Sequence, residues 1–385
     1  MILTTTVRMA GVLFLVCAGS FHFIFASNHL RLFRFPETED ANWCVALQAC
    51  NRTHESFVTL YDDEDAKFID KLLLAERPDR SFWLGLRKNR NTTWSDGSPV
   101  NFSNSSVNVT DEQMCEAIDN NTWTGSNCSD RKYFMCYKGN NYTLVKENRT
   151  WCQALQYCRK HFDDLVSIRN KTENDEVIRE GESTSFWIGL LHDNWEWEDG
   201  GCSSFREWTE NRHSSDPKDN PEECTISTQN NPKLLYKYQC SNSAHSLCSK
   251  GNMRIRVVDK NLTWEEAFNY CKAEHSGPLW IEDEEDQNAV QKWLNYTYNP
   301  SNDSLLWIGL RQSRVFGFWI WSDRTMSYSN WKNGTQPEVS GFDRCGAISG
   351  TDYMWRNADC SLQLPFLCEE EIVFMDKSRS HSYFP

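Results

Sequence analysis

No Cys-x-x-Cys pair occurs in this chain of 385 residues, although it holds 16 cysteines. So many thiols without metal-type pairing exclude a reducing cytosol and point to disulfides. An excess of basic charge is also missing. The formal net charge is −14, the wrong sign for a partner built of phosphates, so nucleic acid is excluded. There is no Gly-x-Ser-x-Gly, no phosphate loop and no metal-helix spacing among histidines such as His161, His192 and His275. No catalytic residue can be named, and the chain is predicted not to be an enzyme. Beyond residue 27 no apolar run approaches spanning length.

What is present starts with a targeting segment. Arg8 precedes the apolar run MAGVLFLVCAGSFHFIFAS, which ends in small residues near Ser20 or Ala26–Ser27. It reads as a signal peptide over 1–27, the rival being an uncleaved anchor. Cleavage would leave a secreted, extracellular product with no membrane span. Asn-x-Ser/Thr sequons at Asn51, Asn91, Asn101, Asn104, Asn108, Asn120, Asn127, Asn141, Asn148, Asn170, Asn261, Asn295, Asn302 and Asn333 predict a glycoprotein. Seventeen tryptophans in a chain of mean hydropathy −0.66 imply aromatic cores under a polar surface.

The chain then repeats itself three times. NWCVALQAC, TWCQALQYC and TWEEAFNYC end at Cys50, Cys158 and Cys271. In the last, Trp264, Ala267, Phe268 and Cys271 share one helix face, with Glu265 and Glu266 outward. A second helix follows in each repeat, with Asp62, Thr172 and Asp283 or Glu285 near its start as N-terminal acceptors. The acidic run Asp62–Asp65 lacks the glycine and terminal glutamate of a calcium loop, so it reads as capping. Next come the strands WLGL, WIGL and WIGL at Trp83, Trp187 and Trp307. WSDG, WEDG and WSDR follow at Trp94, Trp197 and Trp321, and two late cysteines close each repeat. The matching positions of Trp94, Trp195, Trp197, Trp319, Trp321 and Trp331 mark them as core, leaving Phe316 and Tyr328 for exposed contacts.

This order resembles the C-type lectin-like domain, three times over, and the tandem array is similar to the mannose-receptor group without its membrane anchor. The resemblance implies an α+β fold, with two helices, two small antiparallel sheets and a long loop in each domain. The expected domains are 28–138, 139–249 and 250–369, followed by a tail at 370–385. Gly139–Asn141 and Ser249–Asn252 serve as linkers. The resemblance also implies nested bridges: Cys50–Cys136, Cys158–Cys248 and Cys271–Cys368 outside, Cys115–Cys128, Cys224–Cys240 and Cys345–Cys360 inside. Spacing alone leaves three pairings open for each set of four. Once Cys17 leaves with the signal, Cys44, Cys152 and Cys202 remain. They suggest Cys152–Cys202 with Cys44 available to link a second chain. A buried Cys44, or a Cys44–Cys152 bridge, is the alternative.

In sugar-binding members of the resembling family, a calcium ion bound by loop oxygens recognises vicinal hydroxyls. The first repeat puts Thr124 and Gly125 where ligands belong, and the second puts Lys218, Tyr236 and Lys237 there. The third comes closest, with Gln336 and Glu338 around Pro337, Asp343 before Cys345, and Asn357. Arg356, however, replaces an oxygen ligand, and its guanidinium is expected to pair with Glu338 or Asp343. The expected function is recognition of glycans or glycoproteins, a pattern-recognition role, with any calcium confined to the third domain. Calcium-independent protein binding is the alternative.

Overall fold

The computed structural model describes residues 29–376 except 38, 90–92, 108–112, 209–222, 229–234, 299–303, 314, 323 and 339–342. The signal segment, Cys17, Asn91, Asn108, Lys218, Asn302 and residues 377–385 lie outside the described residues. No described helix is long and apolar enough to cross a membrane.

Each repeat opens with a helix that its own sequence starts. In α1 (Trp43–Asn51) the Asn42 side chain accepts from the Val45 amide. In α3 (Trp151–His161) and α5 (Trp264–Glu274), Thr150 and Thr263 form capping boxes with Gln153 and Glu266. The second helices are α2 (Asp63–Glu76), α4 (Lys171–Glu180) and α6 (Glu284–Thr297). Asp62 and Asp283 cap α2 and α6 as expected, but α4 is capped by Asn170 rather than Thr172. Thr172 lies inside the first turn, where its side chain cannot reach back to the free amides.

A pair of indoles ties each first helix to its Trp-x-Gly-Leu strand. The helix tryptophans Trp43, Trp151 and Trp264 donate to Leu84 O, Ile188 O and Ile308 O at 3.3, 2.8 and 2.8 Å. The strand tryptophans Trp83, Trp187 and Trp307 donate back to Ala41 O, Arg149 O and Leu262 O at 2.9, 3.0 and 3.0 Å. The first half of every repeat is thus closed on itself before any late strand is added.

The late strands of the first two repeats are exchanged. Strand Phe82–Lys88 of the first repeat pairs with Trp195–Trp197, Glu223–Ser227 and His245–Ser246 of the second. Strand Phe186–His192 of the second repeat pairs with Met114–Asp119 and Lys132–Lys138 of the first. The result is unit I, built from 29–88 with 195–250, and unit II, built from the contiguous stretch 93–192. Lys88–Glu223 at 3.0 Å and the buried pair His192–Glu116 at 2.9 Å join the halves across the exchange. The third repeat folds on itself as unit III, a seven-stranded sheet with α5 and α6.

The bridges follow this topology. Cys50 bonds Cys248 and Cys136 bonds Cys158, in place of the expected Cys50–Cys136 and Cys158–Cys248. Each outer cysteine joins the late strand packed against its helix, and that strand comes from the other repeat. Cys115–Cys128, Cys224–Cys240, Cys271–Cys368 and Cys345–Cys360 form within their hairpins or repeat. Cys152–Cys202 is present as well, but it fastens unit II to unit I. Nor is Gly139 a linker residue. With a positive φ of 59° it turns a hairpin between strands Lys132–Lys138 and Asn141–Arg149.

Units I and III share one apolar core. Phe68 of α2 stacks on Trp293 of α6 at 4.7 Å, amid Leu72, Leu73, Val290 and Leu294. Beside it lies a buried ionic network. Arg31 meets Asp65 at 3.1 Å, and Arg254 meets Asp62, Asp65 and Glu370 at 2.6, 3.2 and 2.8 Å. Asp62 is held well below the usual carboxylate range, because Arg254 and Arg256 outweigh its burial. His29 sits 3.4 Å from Asp286 and 3.3 Å from Glu369. The residues after Glu371 then cross back. Val373 O accepts from Cys202 N, Met375 N donates to Gly200 O, and Arg159 holds the carbonyls of Phe374 and Met375.

Burial disfavours a charged His29 ring, but the two carboxylates outweigh it and raise its pKa from 6.5 to about 9. A raised pKa contributes stability that is complete below 6.5 and is lost as pH climbs through about 9. Thermal unfolding should therefore show a decline from pH 6.5 to 9.5, on the order of 2–3 kcal/mol, that His29→Gln flattens. Equal slopes in both proteins would remove His29 from the junction's energetics.

Candidate carbohydrate-binding face

In unit III, strand Leu305–Gln312 turns through 313–318 into Trp319–Trp321, and the long loop leaves from there. Trp319, Trp321 and Trp331 are buried, as expected for core. They also hold the loop: Trp319 Nε1 donates to Pro337 O at 3.3 Å, and Gln312 Nε2 donates to Gly317 O at 2.9 Å and Glu338 O at 3.4 Å. With its backbone so fixed, the Gln336-Pro337-Glu338 segment presents the Gln336 and Glu338 side chains to solvent.

Asp343 and Asn357 are exposed on the adjoining hairpin, Arg344–Ser349 with Trp355–Asp359. Cys360 N donates to Asp343 O at 3.4 Å, and Asn357 lies opposite Gly346 in the ladder. Arg356, expected beside Glu338 or Asp343, has an acid of its own hairpin as a partner. It pairs with Asp352 at 2.8 Å in the hairpin turn, where Lys332 also approaches at 3.6 Å. Burial would raise the Asp352 pKa, but hydrogen bonds from Met354 N, Ser349 and Arg356 lower it overall.

The oxygen donors on this face are two carboxylates, Glu338 and Asp343, and two amides, Gln336 and Asn357. No group of three or more His, Cys, Asp or Glu side chains able to hold a metal occurs among the described residues. This donor set falls short of the six to eight oxygens that calcium takes. It does offer hydroxyl-bearing ligands both acceptors and donors. Beside it stands an apolar tip, with Val315 81% and Phe316 74% exposed and Phe316 stacked on Phe318 at 5.6 Å. Tyr328, expected to be exposed, is half-buried with its ring edge-on to Trp355 at 5.9 Å.

The corresponding faces of the other units are differently filled. In unit I, Lys237 lies over Trp195 and Trp208 at 5.6 and 5.3 Å, a cation where a metal ligand would stand. In unit II, a side chain at Gly125 would collide with Val107 of the long loop. Asn101 and Asn104 are exposed on that same loop.

Segments 39–138, 147–250 and 260–370 each match the family described as Lectin C-type domain. The chain belongs to the C-type lectin domain family. Human secretory phospholipase A2 receptor is 23% identical to it, over 89% of this chain and 29% of the relative. Human C-type mannose receptor 2 is 22% identical, over 88% of this chain and 27% of the relative. The chain thus spans under a third of the length of these relatives. Among solved structures, human lithostathine covers 30% of this chain and 90% of its own at 21% identity and TM-score 0.28. CEL-I from Cucumaria echinata covers 32% and 93% at 23% identity and TM-score 0.28.

Two substitutions test whether the face is a degraded metal site. Arg356→Asn with Asn357→Asp restores two oxygen ligands and removes the resident cation. Calcium should then raise the melting temperature of the double variant and leave the parent's unchanged. Identical responses would show that the loop was not missing those ligands.

Proposed function

We propose that this chain is a secreted, glycosylated recognition protein that binds carbohydrate through the loop face of its third lectin domain. The observation that carries the reading is the Gln336-Pro337-Glu338 segment. It is anchored through its backbone by Trp319 and Gln312, with its side chains and Asn357 left for a ligand. Such preorganisation lowers the ordering cost of binding. Calcium makes little contribution, because the donors of Gln336, Glu338, Asp343 and Asn357 fall short of its usual shell. The eleven sequon asparagines that are described are all exposed, in keeping with glycosylation. No catalytic role is assigned to any residue.

A glycan array probed with the full chain, with calcium and then with chelator, tests this. Binding should persist in chelator and fall about tenfold or more in Gln336→Ala with Glu338→Ala, the loss of one to two hydrogen bonds. Undiminished binding by that variant would move the site elsewhere. The second reading, protein recognition, is favoured by the exposed Val315, Phe316 and Phe318. It predicts no array signal.

The reading includes a disulfide-linked dimer through Cys44, which is exposed and outside all seven bridges. Its counterpart in the second repeat, Cys152, already joins one unit to another. Non-reducing electrophoresis should show a dimer that Cys44→Ser abolishes; a monomer in the parent protein ends the idea.

A further inference from the structure

We propose that the exchange of halves between the first two repeats is specified by two features of the sequence: the short connections after the Trp-x-Gly-Leu strands, and a reciprocal match of acid with hydroxyl. Local turn chemistry does not explain it. Lys138-Gly139-Asn140 turns a hairpin, yet the same triplet at Lys250-Gly251-Asn252 does not.

The connections differ in length. In unit III the ladder Gln312↔Trp319, Arg311↔Ile320, Leu310↔Trp321 leaves residues 313–318 for the turn, Gly317 among them at φ 75°. The same ladder closed within the second repeat would join His192 to Trp195, leaving only Asp193 and Asn194. Two-residue hairpins need left-handed backbone and favour glycine, which is absent there. In the first repeat only residues 89–91 would remain, again without glycine. Short hinges of this kind favour swapping. In the exchanged chain, Trp195 pairs with Lys88 instead, and Asn89 N donates to Asn194 O at 2.8 Å.

The match lies where the helix half meets the Trp-x-Asp turn. In unit II, Ser95 Oγ donates to the buried Asp164 at 2.7 Å. In unit I, at the equivalent place, Ser56 Oγ donates to Glu198. Each contact joins one repeat's first half to the other's second half. Self-folding would set Ser56 against Ser95 and Asp164 against Glu198. Arg159, 2.9 Å from Asp164, would then be one cation for two carboxylates, Asp164 buried and Glu198 half-buried.

Proteolysis of the oxidised full chain without reduction reads the topology directly. The parent should give linked peptides Cys50–Cys248 and Cys136–Cys158; Cys50–Cys136 and Cys158–Cys248 instead would overturn the proposal. Ser95→Glu with Glu198→Ser inverts the match. Inserting the 313–318 turn into both connections frees the hinges. Either change should cost the exchanged peptides and bring up Cys50–Cys136 and Cys158–Cys248. A shift in either variant supports the feature it alters, and unchanged maps in both refute the proposal. If the charge-inverted chain fails to fold, the extended chain decides, since it alters no buried side chain.

Discussion

Everything in this molecule depends on the reciprocal indole bonds between the first helix and the Trp-x-Gly-Leu strand. Each links two segments some forty residues apart in sequence. The bonds from the helix tryptophans are shielded from water, so losing one partner there leaves a buried carbonyl or N–H unsatisfied. Truncating one of these tryptophans to alanine would cost on the order of 3–5 kcal/mol in packing alone. Because the bonds lie wholly inside the first half of a repeat, that half is a finished piece whose strand is open on both edges. The late hairpin, stapled by its own short disulfide, is a second finished piece. Nothing in either piece requires that the two be neighbours in the chain.

This modularity explains what was legible in the sequence. Periodicity and the tryptophan order gave the elements, and the resemblance to the C-type lectin-like domain supplied the α+β class, the hairpin bridges and the closed plan of unit III. They could not say which late half joins which early half. Cys50 and Cys158 sit in closely similar helices, and Cys136 and Cys248 occupy the same place in the repeat. A motif repeated in tandem satisfies its long-range pairing rules in more than one way. The cap at Asn170 is a smaller case: Asn170 and Thr172 are both good acceptors, and only the backbone tells which precedes the first turn. The partner of Arg356 was hidden for a different reason, since Asp352 belongs to a hairpin turn whose register sequence does not reveal.

For the candidate face, the sequence offered four side chains and no account of what holds them. Gln336, Glu338, Asp343 and Asn357 all lie on exposed backbone of one unit, within the loop and the adjoining hairpin. The part missed is what fixes them, namely an indole and an amide that reach the loop's carbonyls rather than its side chains. Side-chain identity in that loop is therefore free to vary without loss of its shape. Units I and II illustrate that freedom, one with a lysine over two tryptophans, the other with a valine wedged at a glycine.

The bridge between Cys50 and Cys248 spans 198 residues. A chain is made from its N-terminus, so Cys136 emerges long before Cys248 and meets Cys50 first. The exchanged connectivity then requires either that Cys50 stay reduced through the synthesis of a whole further repeat, or that an early Cys50–Cys136 bond be attacked and reshuffled. The rate of maturation would be set by thiol–disulfide exchange rather than by collapse of the aromatic cores. The carbonyls that Arg159 grips at Phe374 and Met375 arrive later still, so the junction of units I and II closes only after the third repeat has been made.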